Sequence, residues 1–471
     1  MMSRRNLLTG ALAVMIGSRA AALPGGLGQR PPARPVPGAA QVVARAGLAA
    51  RVSYALLDPG TGVLHDGAAA FAPVTPASTL KVVTALYALD RLGPSFRFRT
   101  RILRAGDMII LAGGGDPLLS TDDLERLAGD LVASGQGSLA RFAVWGGALP
   151  RLSEIAPGQA DHLAYNPAMS GMILNFNRVH LGWRQSGGDY RMSLEARAEA
   201  HSPRAYTITA APGAQVSLFS YGAGDGRESW TVSRAAMGKA GSRWLPVRKP
   251  ELYAGDVFQT LCRAKGLVLP APEVIGALPV ATQEIAALDS PALRDILRGM
   301  LKYSTNLTAE VVGLRASGAS GPGASARAMR DWLVAQGLGV GFSLADHSGL
   351  SADSRVTAGG MARILAGPGL SAGLPDLLKP EVPPPGRDVP APDVVAKTGT
   401  LNFVSNLAGY ARDGGGPWLA FAVMCTDGAR HAATRGAENP AGAAGWTRRA
   451  KTLQHDLVLS WLGRFGQDRG P

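Results

Sequence analysis

The stretch from residue 76 to 93, PASTLKVVTALYALDRLG, constrains the fold more than any other. Leu80, Val83 and Tyr87 fall on one helical stripe and Val82, Leu86 and Leu89 on another, so the helix is apolar on most sides and belongs inside the protein. Pro76 leads into it and Gly93-Pro94 ends it. Its first turn carries Lys81. At i and i+3, Ser78 and Lys81 share a face about 5–6 Å apart at Cβ, so the lysine can reach the serine hydroxyl. A serine at a helix N-terminus also sits where the dipole favours developing negative charge. For the amine to act as a base near neutral pH its pKa has to fall by roughly 3 units, about 4 kcal/mol. Desolvation and a second cation would supply that shift.

Lys397 is the candidate second cation. It lies in DVVAKTGT, a predicted strand between apolar residues and a turn. Gly399 would let a substrate backbone approach the strand edge, and Thr398 offers a hydroxyl for a carboxylate. Lys239-Ala240-Gly241 has similar spacing but lacks the hydroxyl and the strand context, and is read as a decoy. Ser304-Thr305-Asn306 falls in a break near Tyr303 between two predicted helices in SPALRDILRGMLKYSTNLTAEVVGLRA. There Ser304 offers a hydroxyl that can relay a proton, and Asn306 an amide that can bind a peptide group.

Around these motifs the pattern alternates. A helix over 40–50 precedes a strand, a Pro-Gly turn and a strand over 51–67. From about 95 the character changes, and TRILRAGDMIILAGGGDP, residues 100–117, suggests a hairpin turning at Gly106-Asp107. Ser120 with Asp123 starts a capped helix to about Gln136. Residues 140–245 are Gly-spaced and strand-like, and 250–267 reads as a helix. SNLAGYAR and PWLAFAVMC form an antiparallel pair about the 414–416 glycine turn. An amphipathic helix over 447–464 is expected to cover one sheet face. Gly113-Gly114-Gly115-Asp116 reads as a structural turn, Glu310 as a structural partner and His347 as a loop histidine.

A length of 471 residues gives a soft expectation of three domains, and 46% hydrophobic residues exclude a disordered chain. With 61 Gly and 33 Pro, a coiled coil or all-helical solenoid is disfavoured. The formal charge of +13 could attract nucleic acid, anionic lipid or an acidic polymer, with a solvated basic surface the favoured reading; no basic run is interleaved with aromatics, so no nucleic-acid partner is expected. Cys262 and Cys425 form no Cys/His cluster, so no metal is expected; two unpaired buried thiols are favoured over one bridge. Arg4-Arg5, the apolar run from 7 to 17 and Ala20-Ala21-Ala22 read as a signal peptide over 1–22, of twin-arginine type with a Sec signal as the alternative. Residues 23–38 read as a linker, and export to the periplasm follows, with at most peripheral membrane contact.

Taken in order, Ser78-x-x-Lys81, Ser304-x-Asn306 and Lys397-Thr398-Gly399 match the signature of penicillin-binding proteins and class A β-lactamases. With VTPASTLKVVTALYAL, LAGGGDPLLS, PVRKPELYAGDVFQTL, DHSGLSADSRVT and VVAKTGTLNFVSNLAGY, the chain resembles the class C low-molecular-mass penicillin-binding proteins, the D-alanyl-D-alanine carboxypeptidase/endopeptidase family. The likeness covers nearly all of the chain after the leader and is loose over about 120–245. Thr305 stands where that family often has Asp, and His347 where it often has Gly.

The resemblance implies an α+β fold: a penicillin-binding/serine β-lactamase-like domain, an antiparallel sheet covered by helices, over 39–93 and 285–471. Large inserted β-rich modules, two small subdomains, would occupy 94–284. It implies that Ser78 is acylated, Lys81 takes its proton and Ser304 passes a proton toward the leaving amine. Asn306 would bind the substrate amide, Lys397 would supply positive potential and Thr398 would take the terminal carboxylate. The N–H groups of Ser78 and Thr400 would form an oxyanion hole. The partners implied are peptidoglycan stem peptides and, as inhibitors, β-lactams, with no cofactor. Two other readings stand beside this serine DD-peptidase. One is a β-lactamase or esterase of the same superfamily, although no Glu-x-x-Leu-Asn string is present and Ser304 replaces the Tyr of a Tyr-x-Asn motif. The other is a non-catalytic wall-binding protein.

Overall fold

Residues 36–136, 139–224, 226–381 and 393–465 are described by a computed structural model. The expected signal peptide over 1–22 and all but the end of the expected linker lie outside the described residues. Six strands form one antiparallel sheet in the order Lys379–Pro380, Asp393–Leu401, Val404–Arg412, Leu419–Thr426, Arg51–Leu57, Leu64–Ala68. The strand nearest the N-terminus thus pairs with one near the C-terminus, Tyr54 opposite Val423.

This sheet is buried on both faces, and the period of two shows how. In the Leu419–Thr426 strand, Leu419, Phe421, Val423 and Cys425 pack with Trp446 and Trp461 of the Ala443–Phe465 helix and with Val42 of the Ala39–Ala46 helix. Ala420, Ala422 and Met424 face the opposite way, into a helical layer. That layer holds the Leu80–Leu92, Leu293–Tyr303, Asn306–Ser317, Pro322–Ala335 and Ala358–Ile364 helices. The helix expected over 40–50 stops at Ala46, because Gly47 takes the left-handed conformation and its N–H caps the carbonyl of Ala44.

A second core gathers the segment between the first two motifs. Its largest sheet runs in the order Pro272–Ile275, Arg141–Trp145, Met108–Ala112, Arg99–Ala105, Gln283–Asp289. The expected hairpin is present, with Ala105 opposite Met108. Two three-stranded sheets, from residues 178–246, are inserted between its Arg141–Trp145 and Pro272–Ile275 strands. The Thr121–Ala133 helix begins with the reciprocal cap between Ser120 and Asp123, and the Pro250–Ala264 helix packs beside it. The Gly113–Asp116 run is not a turn. A Cβ on Gly113 would lie 2.4 Å from the carbonyl oxygen of Gly171, and one on Gly114 2.1 Å from that of Arg99, so the glycines serve close backbone approach. Cys262 and Cys425 are buried free thiols.

Candidate active site

Ser78 lies on a single 3₁₀ turn, Ala77–Thr79, immediately ahead of the Leu80–Leu92 helix. The turn is held from the sheet: Asn406 donates from Nδ2 to the carbonyls of Thr75 (2.9 Å) and Pro76 (2.8 Å). Ala77 has φ of 46°, an uncommon value for a residue with a Cβ. A Cβ on Gly349 would meet the Ala77 carbonyl oxygen at 1.8 Å, so only glycine fits there. Gly399 has a part beyond the one expected of it. The space its side chain would claim is filled by the Pro76 carbonyl oxygen at 2.9 Å and the Ser78 amide nitrogen at 3.0 Å. It lets the Asp393–Leu401 strand close on the nucleophile turn, and this brings the amides of Ser78 and Thr400 into one neighbourhood.

Lys81 is fully buried in that otherwise apolar helix. Its Nζ lies 3.0 Å from Ser78 Oγ, 2.8 Å from Asn306 Oδ1 and 2.7 Å from the Ser348 carbonyl oxygen. An ammonium can donate to all three. A neutral amine has two hydrogens for the acceptor-only Asn306 Oδ1 and Ser348 carbonyl, which leaves its lone pair for the Ser78 hydroxyl. Burial, helped by the Lys397 cation and opposed by Asp346 and Glu310, brings the Lys81 pKa down to about 7. The amine is therefore available as a base near neutral pH.

The Leu293–Tyr303 helix buries Leu293, Ile296, Leu297, Met300 and Leu301, an apolar stripe at i, i+3, i+4, i+7 and i+8. It ends because Ser304 turns left-handed, with φ of 60°, and Asn306 starts the next helix. A non-glycine residue held there stores backbone strain of order 1–3 kcal/mol. The kink points Ser304 Oγ at Lys397, whose Nζ donates to it at 3.0 Å and to the Thr398 carbonyl at 2.7 Å. Asn306 Nδ2 gives one hydrogen to the Tyr165 carbonyl at 3.2 Å and keeps the other. Burial lowers the Lys397 pKa to about 8, with Glu381 opposing and Lys379 assisting.

Thr398 and Thr400 alternate to the other face of the strand from Lys397. The Lys379–Pro380 strand pairs only with Ala396 and Val395, so among the described residues the edge from Lys397 onward has no strand partner. A cavity of about 1180 Å³ is lined by Ser78, Ser304, Asn306 and Thr400, with Tyr165 and Leu350 on its walls. All seven residues singled out from sequence thus fall in or beside one cleft. The decoy Lys239 does not: its carbonyl accepts from Gln185 beside a three-stranded sheet.

Sequence reasoning read Glu310 as a structural partner, as it is; what it missed is that the partner is the loop behind Lys81. Glu310, buried, accepts from the amides of Ser348 (2.8 Å) and His347 (3.2 Å), which fixes the Ser348 carbonyl on Lys81. Asp346 binds the same loop through Ser348 Oγ, Ser351 N and Ser354 Oγ. Burial and the Asp346 charge push the Glu310 pKa up. His347 is fully buried, its Nε2 2.6 Å from Ser325 Oγ, and burial holds its pKa down near 3, so it is neutral. The DHSGLS string carried this loop, but nothing local marks which residue its carbonyls face. Among the described residues no group of three or more His, Cys, Asp or Glu could hold a metal ion, and no helix is long and apolar enough to cross a membrane.

A model of the D-Ala-D-Ala carboxypeptidase 3 (S13) family matches residues 63–371 and 386–450. The chain is 28% identical over 401 residues to a D-alanyl-D-alanine carboxypeptidase of an Actinomadura species, covering 74% of this chain and 72% of that protein. It is 28% identical over 379 residues to a carboxypeptidase of Mycobacterium tuberculosis, covering 75% and 72%. Among solved structures it is similar to penicillin-binding protein 4 of Haemophilus influenzae, with a TM-score of 0.69 at 19% identity over 89% of this chain and 98% of that one. The same protein in complex with a β-lactam gives 0.67.

Proposed function

The chain belongs to the D-Ala-D-Ala carboxypeptidase 3 (S13) family, and from that premise we propose that it is a serine DD-peptidase of peptidoglycan acting through an acyl-enzyme on Ser78. The observation that carries the assignment of roles is the contact of buried Lys81 with Ser78 Oγ at 3.0 Å. Neutral Lys81 takes the Ser78 proton as Oγ attacks the carbonyl carbon of the penultimate D-Ala. The developing oxyanion is met by the amides of Ser78 and Thr400, an interaction typically worth on the order of 3 kcal/mol per donor in the transition state. The proton returns to the leaving amine through Ser304, whose hydroxyl is free to donate because it already accepts from Lys397. The C–N bond breaks, the terminal D-Ala leaves, and water later hydrolyses the ester. The Lys397 ammonium and the Thr398 hydroxyl hold the departing carboxylate, while the open strand edge and the second Asn306 hydrogen align the peptide.

A β-lactam offers the same carbonyl and carboxylate, and so acylates Ser78 as an inhibitor. The residue pattern favours the peptidase over a β-lactamase, because no Glu-x-x-Leu-Asn string is present and Ser304 stands where a Tyr-x-Asn motif has its Tyr. Peptidoglycan lies outside the cytoplasmic membrane, so this reading carries export to the periplasm by the Arg4-Arg5 leader. Loss of export on Arg4→Lys/Arg5→Lys would assign the twin-arginine route.

The assay is release of D-Ala from a pentapeptide ending in D-Ala-D-Ala. The wild type turns it over, whereas Ser78→Ala and Lys81→Ala fall by about three orders of magnitude or more. Full turnover by Ser78→Ala would refute the assignment.

A further inference from the structure

Past the nucleophile, the cavity runs along Leu401 and Asn402 to His431 and Arg435, and there it adjoins a second groove of about 600 Å³. Arg51, Arg355 and Arg435 line this groove with His431. Its one lining carboxylate, Asp427, is engaged with Arg430 at 3.4 Å. Arg355 donates from Nη1 to the carbonyls of Ala352 and Ser354. None of the three lining guanidiniums forms an ion pair among the described residues. His431 Nδ1 lies 2.8 Å from the Asn402 carbonyl oxygen, an acceptor, so Nδ1 carries the hydrogen. Its Nε2 is then an acceptor, and it is buried with no partner among the described residues. Burial, opposed by the Asn402 carbonyl and helped by Arg435 and Arg355, lowers the His431 pKa and so favours the neutral ring.

Unpaired guanidiniums around a buried neutral acceptor complement a segment that carries both a carboxylate and an N–H. A peptide has both groups; a phosphate chain has no N–H for Nε2. Direction follows from the scissile site. With the departing carboxylate at Lys397 and Thr398, the acyl side of the substrate runs toward Leu401 and Asn402, and so toward the groove. The chain's net charge of +13 favours an acidic polymer. We propose that this groove is an exosite that holds a carboxylate-bearing stem peptide of the polymer other than the one being cut. The inference rests on the DD-peptidase reading.

The test compares two substrates with wild type and an Arg51→Gln/Arg435→Gln variant; both arginines are exposed, which spares the fold. One substrate is a short acetylated peptide ending in D-Ala-D-Ala with no other carboxylate. The other is a purified cross-linked peptidoglycan fragment with free carboxylates on its second stem. For the fragment, the variant should raise KM about tenfold with kcat retained, the expected loss for charge-assisted contacts. For the short peptide, and for the rate of penicillin acylation, it should change nothing. Amidating the fragment should remove the wild type's advantage. An unchanged KM for the fragment, an equal loss on both substrates, or an amidated fragment that binds wild type as well as the free acid would overturn the exosite. Failure of the wild type to be acylated by penicillin would instead overturn the peptidase reading.

Discussion

At the scale of single residues, the proposed chemistry rests on two buried lysines. Lys81 has to be neutral to take a proton, and its pKa is near 7; Lys397 has to be charged to hold a carboxylate, and its pKa is near 8. Acylation by a carboxylated substrate should therefore follow a bell, rising through about 7 as Lys81 loses its proton and falling through about 8 as Lys397 does. Lys397→Arg keeps the charge at all accessible pH, so the alkaline limb should disappear even if the maximum is lower. A pH profile of kcat/KM for both proteins checks this. Glu310 acts on Lys81 through the Ser348 carbonyl and by its charge. Removing that charge destabilises the ammonium, so Glu310→Gln should move the acid limb to lower pH by up to about one unit. Glu310→Ala also frees the loop and should lose about tenfold or more at every pH. The Ser78–Lys81 relation was legible in sequence because i and i+3 on a helix are neighbours by geometry. Glu310 was not, because its effect depends on which carbonyl of a distant loop faces the amine.

At the scale of elements, close backbone approach decides whether the motifs meet. A Cβ on Gly399 would press on the Pro76 carbonyl and the Ser78 amide, so Gly399→Ala should push the strand from the turn. Acylation should fall by about a hundredfold while circular dichroism stays unchanged, the expected effect of displacing an oxyanion donor. Gly313 makes a similar concession to His347: a Cβ there would lie 2.2 Å from the imidazole Cγ. Gly313→Ala alone should cost about 1–3 kcal/mol by overpacking, and adding His347→Gly should recover most of it. Denaturant unfolding of the two singles and the double reads out the cycle. The buried imidazole at position 347 is thereby tied to a small residue on the facing helix. Helix and strand positions were read well where caps and periods are local, as with Ser120 and with the stripe from Leu293 to Leu301. The left-handed Ser304 could only be inferred as a break, since its conformation is imposed by the two helices it joins.

At the scale of the whole molecule, the chain closes on itself: a strand near residue 54 zips to one near residue 423, and the motif turns are hung on that sheet. No local pattern predicts such a register, and the family resemblance rather than periodicity made the fold legible. The same burial that activates Lys81 taxes stability. Its folded pKa near 7 is below the ordinary value of 10.5, so the unfolded chain binds the proton more tightly and the folded state gains stability as pH rises between them. Relative to Lys81→Met, which cannot titrate, the wild type should gain about 2–3 kcal/mol in unfolding free energy from pH 7 to 9, at about 1.4 kcal/mol per unit. A gap that is flat with pH would mean the amine is solvated.

The most direct measurement is mass-spectrometric mapping of the adduct formed with labelled penicillin. A single acyl group on the peptide containing Ser78, absent in Ser78→Ala and formed far more slowly in Lys81→Ala, is the predicted result. An adduct on any other residue, or undiminished labelling of Ser78→Ala, would contradict the account.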